Sequence, residues 1–306
     1  MSEAVTPVTP GLLRSMPLPC HHEGEDKDER GRVLVIGGSV ETPGGALLAG
    51  LATLRAGAGK LQIATCRSVA APLAVAVPEA RVSGLEETPA GGISAAEAER
   101  LAERCGRTDV VLLGPGMMDG TAVSLLTSRL LGSTDGPCFV LDAAALQDLD
   151  SCRAALAGHA GRVVLTPHAG EMASLLGIPR NAVLADPLTA ARKAARGLQA
   201  VVAMKGGCTF IADPGGRAWS CDHGNVGLAT SGSGDTLAGI IAGLLARGAA
   251  PIEATLWGVY LHAEAGERLA CTRGPVGYLA RELLAEIPTI MADLQRQRAD
   301  AAEAPA

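Results

Sequence analysis

Short apolar runs recur along this chain. Each stops at glycine or a polar residue just before a helical pattern begins. The run 33–36 ends in Gly37-Gly38-Ser39, and residues 46–55 then place Leu47, Leu48, Leu51 and Leu54 on one expected helical face. A strand resumes at 61–63, giving a strand–loop–helix–strand unit that favours parallel, right-handed pairing. Val110–Leu113 ends at Gly114-Pro115-Gly116, before a helical pattern over 121–131. The run 139–141 ends at Asp142. Val163–Leu165 ends at Thr166-Pro167-His168, ahead of a helix containing Glu171 to Leu176. The run 201–203 leads to Lys205-Gly206-Gly207, and a hairpin follows, with strands 209–212 and 217–221 around Asp213-Pro214-Gly215-Gly216. From Asp235 onward the pattern is helical. This alternation predicts the α/β class, as a three-layer domain with a largely parallel central sheet. The expected domain is 29–297, between a loose leader over 1–28, rich in proline and then charge, and a tail over 298–306.

At 306 residues and 48% hydrophobic composition, the chain can bury a large core. A net charge of −6, with only two each of Phe, Tyr and Trp, argues against a nucleic-acid partner, which needs a basic surface and stacking groups. The eight cysteines are scattered without a C-x-x-C pair, which suits free thiols in a reducing cytoplasm. A basic stretch leading into an apolar run is missing from the N-terminus, and every apolar run falls short of membrane-spanning length. Neither secretion nor a membrane partner is expected.

Chemistry collects at the expected strand ends: Gly37 to Ser39, Gly114 to Gly116, Asp142, His168 with Glu171, Lys205, and Asp235. Singly, each has a structural explanation, as a turn, a helix cap or a solvated charge. Together they fall where open α/β sheets bind ligands, beyond the carboxyl ends of the strands. The densest signal is Ala229-Thr-Ser-Gly-Ser-Gly-Asp235, which runs straight into the apolar helix that follows. Its glycines permit close approach, and a helix N-terminus offers unpaired amides to an anion. Asp235 beside a bound phosphate is placed to act as a base. Neither a Walker A loop nor an intact G-x-G-x-x-G is present. The histidines at 21, 22, 159, 223 and 262 show no metal-ligand spacing.

In this order, Gly37-Gly-Ser39 with Pro43-Gly-Gly-Ala46, Leu113-Gly-Pro-Gly116, Leu141-Asp142-Ala-Ala-Ala-Leu146, Leu165-Thr-Pro-His168-Ala-Gly-Glu171, Lys205-Gly-Gly-Cys-Thr209, and Gly224-Asn-Val-Gly-Leu-Ala-Thr230 running into Gly232-Ser-Gly-Asp235 resemble the ADP-dependent NAD(P)H-hydrate dehydratases of the ribokinase-like superfamily. The resemblance spans roughly 30 to 290. The chain departs from the family pattern in its acidic run 23–29, at Ala169 where Pro is common, and at Ser231 where Gly is common. The resemblance implies that Lys205, Gly206, Gly207, Cys208, Thr209 and Gly234 hold ADP, or ATP in its place. It implies that Ala46, Gly116, His168 and Asp235 line the hydrated dinucleotide, with Asp235 catalytic and Glu171 organising Mg2+. A homotetramer is also implied. With about 30 residues before the first strand, the epimerase domain fused to many relatives is not expected here. Two other readings stay open: an ATP-dependent small-molecule kinase of the hydroxyethylthiazole or pyridoxal type, and a nucleotide-binding subunit without catalysis.

Overall fold

The computed structural model describes the backbone of residues 4–20, 24 and 26–303, and side chains as far as residue 296. His21, His22 and part of the acidic run 23–29 lie outside the described residues. The chain opens with β1 (Val5–Pro7) and α1 (Pro10–Ser15). Next come β2 (Arg32–Ile36), α2 (Gly44–Arg55), β3 (Lys60–Cys66), α3 (Arg67–Ala76), β4 (Ala80–Leu85) and α4 (Ala98–Cys105). The middle holds β5 (Val110–Leu113), α5 (Gly120–Ser133), β6 (Cys138–Leu141), α6 (Arg153–Gly158), β7 (Val163–Leu165), α7 (Ala169–Leu176), α8 (Arg180–Ala185) and α9 (Pro187–Leu198). Then follow β8 (Val201–Met204), β9 (Thr209–Ala212), β10 (Ala218–Cys221), α10 (Ser233–Ala246), α11 (Pro251–Arg273) and α12 (Ala280–Glu303).

The strands form one mixed sheet in the order β1-β10-β9-β8-β7-β6-β5-β2-β3-β4. From β8 through to β4 every neighbouring pair is parallel. The hairpin strand β9 runs antiparallel to both β8 and β10, as its turn sequence requires. Two apolar layers flank the sheet, because alternate residues of each strand face opposite ways. Val33 and Val35 join the core under α2, α10, α11 and α12, whereas Leu34 and Ile36 join the one under α4, α5, α7 and α9. This is the expected three-layer α/β architecture.

Three expectations change. The residues that α2 buries are the small ones, Gly45, Ala46, Ala49, Gly50, Ala52 and Thr53, while Leu47, Leu48, Leu51 and Leu54 are only partly buried at its flank. The reason is α10, which crosses so close that a Cβ on Gly239 would lie 2.3 Å from the Ala49 carbonyl oxygen. The tail expected from 298 instead continues as helix α12 to Glu303. Finally, the described part of the leader over residues 5–20 is not loose. Its β1 adds to β10 in parallel, and Thr9 caps α1, with Pro10 in the first turn where its missing N–H costs nothing. Val8, Leu13 and Leu18 are buried. Trp257 Nε1 donates to the Met16 carbonyl at 2.7 Å, and Arg247 Nη2 to that of Pro19 at 3.2 Å. Sparse apolar residues suffice here because the sheet edge and α11 supply the partners.

Leu13 is fully buried, so Leu13→Ala should lower the unfolding free energy by about 2–5 kcal/mol. A urea titration reads this as an earlier midpoint. An unchanged midpoint would mean that the leader is undocked in solution.

Candidate active site

Strand succession reverses between β2 and β5: β3 and β4 continue outward on one side, β6, β7 and β8 on the other. A crevice opens beyond the carboxyl ends of the strands at such a point. The loops leaving β2 and β5 lock together there. Gly38 N–H donates to the Pro115 carbonyl at 2.7 Å, and Thr42 Oγ1 donates to the Gly116 carbonyl at 2.7 Å. Ser39 Oγ accepts from Thr42 N–H at 3.1 Å, which fixes the turn between them. Gly116 has φ +64°, a conformation that disfavours any residue with a side chain. Gly45, in the first turn of α2, lies so near that a Cβ there would stand 2.6 Å from the Gly116 nitrogen. Ala46 is fully buried behind this loop and shapes it from below.

The N-terminus of α10 points into the same crevice. Gly232 caps it without a side-chain hydrogen bond, so amides of the first turn remain open to an anion. Asp235 stands in that first turn, close to the Gly116 backbone amide. Burial pushes its pKa up to about 6. The charges of Asp142 and Glu171 add to the rise, while Lys205 and the Gly116 amide oppose it. Such a carboxylate is ionised at neutral pH yet basic enough to take a proton.

Lys205 Nζ bonds Asp142 Oδ1 at 2.8 Å, and Thr166 Oγ1 donates to the same oxygen at 2.6 Å. Asp142 is buried, so these donors are what keeps its charge tolerable. Burial works against the charge on Lys205, but Asp142, Glu171 and Asp235 outweigh it and hold the pKa above the ordinary lysine value. A Cβ on Gly234 would lie 3.2 Å from Lys205 Nζ, so the lysine spans from β8 to α10. Gly206 and Gly207 form the exposed turn that follows, Cys208 is half-buried, and Thr209 begins β9.

His168 pairs with Lys205 in a parallel bridge and caps α7. Its Nδ1 accepts from the Gly170 and Glu171 amides at 3.0 and 3.1 Å, while Glu171 Oε2 accepts from His168 N–H at 2.8 Å. This reciprocal capping box occupies Nδ1, and Nε2 lies 3.5 Å from Glu171 Oε1 on a side chain that is 60% exposed. Beside it opens a cavity of ≈ 420 Å³ whose lining includes Met117, Ala143, Gln147, His168 and Glu171.

The structure thus brings Gly116, His168, Glu171, Lys205, Gly234 and Asp235 to one crevice, with Ala46 behind it. Among the described residues, no three His, Cys, Asp or Glu side chains converge into a metal cage. Glu171 gives one oxygen to its own cap, and Asp142 is engaged by two donors. That sparse donor set fits magnesium arriving on nucleotide phosphates, which retains water and phosphate as most of its ligands.

One neighbour has no sequence signal. His262 of α11 places Nε2 2.8 Å from the hydroxyl of Ser233, the first residue of α10. Burial lowers the His262 pKa to about 4, so the ring is neutral and serves to hold the loop. His159, by contrast, is a core residue against Leu131 and Phe139, in line with its lack of ligand spacing.

Comparison with known proteins places these features in one group. Residues 33–289 match the Carb_kinase family model, described as NAD(P)H-hydrate dehydratase. The chain is 47% identical over 294 residues to the ADP-dependent (S)-NAD(P)H-hydrate dehydratase of Xanthomonas campestris pv. campestris, covering 95% of this chain and 98% of that protein. It is 41% identical to a bifunctional NAD(P)H-hydrate repair enzyme of Moorella thermoacetica, of which it spans only 53%. Its fold superimposes with a TM-score of 0.80 and 31% identity on the ADP/ATP-dependent NAD(P)H-hydrate dehydratase of Bacillus subtilis co-crystallised with ATP/Mg2+, covering 95% of this chain and 99% of that one.

The raised pKa of Asp235 has a consequence for stability. An ordinary aspartate titrates near 3.8, so between pH 3.8 and about 6 the folded chain holds a proton that the unfolded chain has released. Stability therefore declines through that window and stays lower above it. Asp235→Asn should melt higher than wild type at pH 7.5, and the gain should shrink towards pH 4. A melting-temperature series across pH reads this directly; a difference independent of pH would refute the raised pKa.

Proposed function

This chain belongs to the NAD(P)H-hydrate dehydratase family, and we propose that its crevice returns hydrated NADH and NADPH to NADH and NADPH with ADP as co-substrate, releasing AMP and phosphate. The observation that carries this reading is the convergence of Asp235, in the open first turn of α10, with Lys205, Asp142 and Glu171 beside the Gly116 loop. This sets a half-buried base between the wide loop after β2 and the open N-terminus of α10. Lys205, Gly206, Gly207, Cys208, Thr209 and Gly234 are the proposed nucleotide contacts. Gly116, His168 and Asp235 are the proposed contacts of the hydrated dinucleotide, with Ala46 setting the shape of the loop behind them.

Hydroxide is a poor leaving group, so the hydrate's C6 oxygen must first be activated. Asp235 takes the proton of that hydroxyl as the oxygen attacks the terminal phosphorus of ADP, and AMP departs. The α10 amides meet the charge that spreads over the equatorial oxygens, where they are most effective because they are fixed in advance. Magnesium bound on the phosphates near Glu171 supplies further charge neutralisation. The ring nitrogen then pushes electrons, phosphate leaves C6, and C5 loses a proton to restore the double bond. His168, at the mouth beside Glu171, is the proposed polar contact on the dinucleotide side. Most of this catalysis is positioning, which a site built largely of backbone can provide.

Its cysteines are free, in keeping with the cytoplasmic location we propose, and no helix among the described residues is long and apolar enough to cross a membrane. A homotetramer is the proposed assembly, readable by light scattering.

The deciding experiment follows products. With ADP and acid-generated NADH hydrate, absorbance at 340 nm should rise in step with AMP and phosphate, one of each per turnover. Asp235→Asn should cut turnover by ~10²–10⁴-fold while ADP affinity changes little. Stable phosphorylation of a thiazole, pyridoxal or sugar alcohol, with no action on the hydrate, would make the chain a kinase instead. Retention of more than about a tenth of the rate in the variant would remove Asp235 as the base.

A further inference from the structure

At the end of the sheet opposite the crevice, four arginines face one recess of ≈ 240 Å³. Arg81 sits near the start of the edge strand β4, paired with Gln62 of β3. Arg100 and Arg104 lie one turn apart on α4, and Arg107 follows that helix. Their convergence is dictated by packing. Leu101 and Cys105 of α4 press onto the same apolar layer as Ala64 and Cys66 of β3, which leaves Arg100 and Arg104 at the helix flank beside the sheet edge.

The recess is unbalanced in charge, in a chain whose overall balance is −6. Glu103 is the one carboxylate in the lining. Nearby Glu97 is already engaged, accepting from Arg100 Nη1 at 3.2 Å and from the Glu86 N–H at 2.8 Å. Arg104 Nη1 is buried and has no hydrogen-bond partner among the described residues. Burial, then the charges of Arg100 and Arg81, depress its pKa. A rim of solvated arginines would explain the exposed guanidinium groups but not a buried, unsatisfied donor surrounded by like charge, which is costly in a folded protein. Guanidinium forks match phosphate oxygens in geometry and charge, and the recess is too small for a polymer backbone.

We propose that this recess binds a small free phosphoanion, orthophosphate or pyrophosphate, whose oxygens are taken by the guanidinium groups of Arg81, Arg104 and Arg107. The site is separate from the crevice and does not depend on the reaction assigned to it.

The test is calorimetric titration of the full chain with inorganic pyrophosphate under saturating ADP, so that the crevice is occupied. Wild type should still take up one equivalent, more weakly as sodium chloride is raised, and should melt higher with pyrophosphate present. Arg104→Gln and Arg81→Gln should each weaken that uptake by about tenfold or more, the loss of a charged hydrogen bond, and should lose the melting shift. Turnover with ADP should be unchanged in both. If Arg104→Gln fails to fold, Arg81→Gln decides alone. Absence of pyrophosphate uptake under saturating ADP, or equal uptake by wild type and the folded variants, would overturn the proposal.

Discussion

The close crossing of α10 over α2 sets the position of everything in the crevice. A Cβ on Gly243 would lie 2.4 Å from the Thr53 carbonyl oxygen, and one on Gly239 would be nearer still to that of Ala49. Backbone therefore rests on backbone, and α10 has almost no freedom to slide. Its N-terminus is thereby carried to the point where β2 and β5 part, and Asp235 reaches the Gly116 amide. The same crossing explains why α2 turns glycine and alanine inward and leaves its leucines to the flank.

Within that frame the polar groups depend on one another. Asp142 tolerates burial through Lys205 and Thr166, and Lys205 stays charged through Asp142, Glu171 and Asp235. These groups share partners, so substitutions here are expected to couple rather than add. His262 adds a support from behind, through Ser233. Because α11 also donates from Trp257 to the leader, the docked segment and the first turn of α10 brace the same helix.

Most of the parallel sheet was legible because β2, β5, β6, β7 and β8 each carry a continuous apolar run ended by glycine or a polar residue. The hairpin was legible from Asp213-Pro214-Gly215-Gly216, and the site from the polar residues at strand ends. What escaped has physical reasons. The edge strand β4, Ala80-Arg81-Val82-Ser83-Gly84-Leu85, is half-exposed and lacks a strong apolar period. The strand β1 has three residues and exists only because β10 offers an edge. The leucines of α2 gave a helical period but the wrong buried face, since periodicity cannot foresee a partner helix that demands small residues. Ala46 carries the same lesson at the site, being buried behind the loop. His262 lies in a long helix with nothing local to mark it; only the tertiary fold brings it to Ser233.

The charge balance of the crevice bears on when Asp235 can act. Asp142, Glu171 and Asp235 face a single Lys205, so the site's own residues are already rich in negative charge. A phosphate entering beside Asp235 adds more, which by itself would favour the protonated acid and disable it as a base. The opposing influences are the charge of Lys205, the nearby Gly116 amide, and the open first-turn amides of α10 on the phosphate. The amides carry no counter-charge of their own that must be desolvated, and they are held in place by the α2 crossing. The geometry thus keeps Asp235 ionised where chemistry needs it, through Lys205 and through backbone groups whose placement follows from the packing of glycine against alanine.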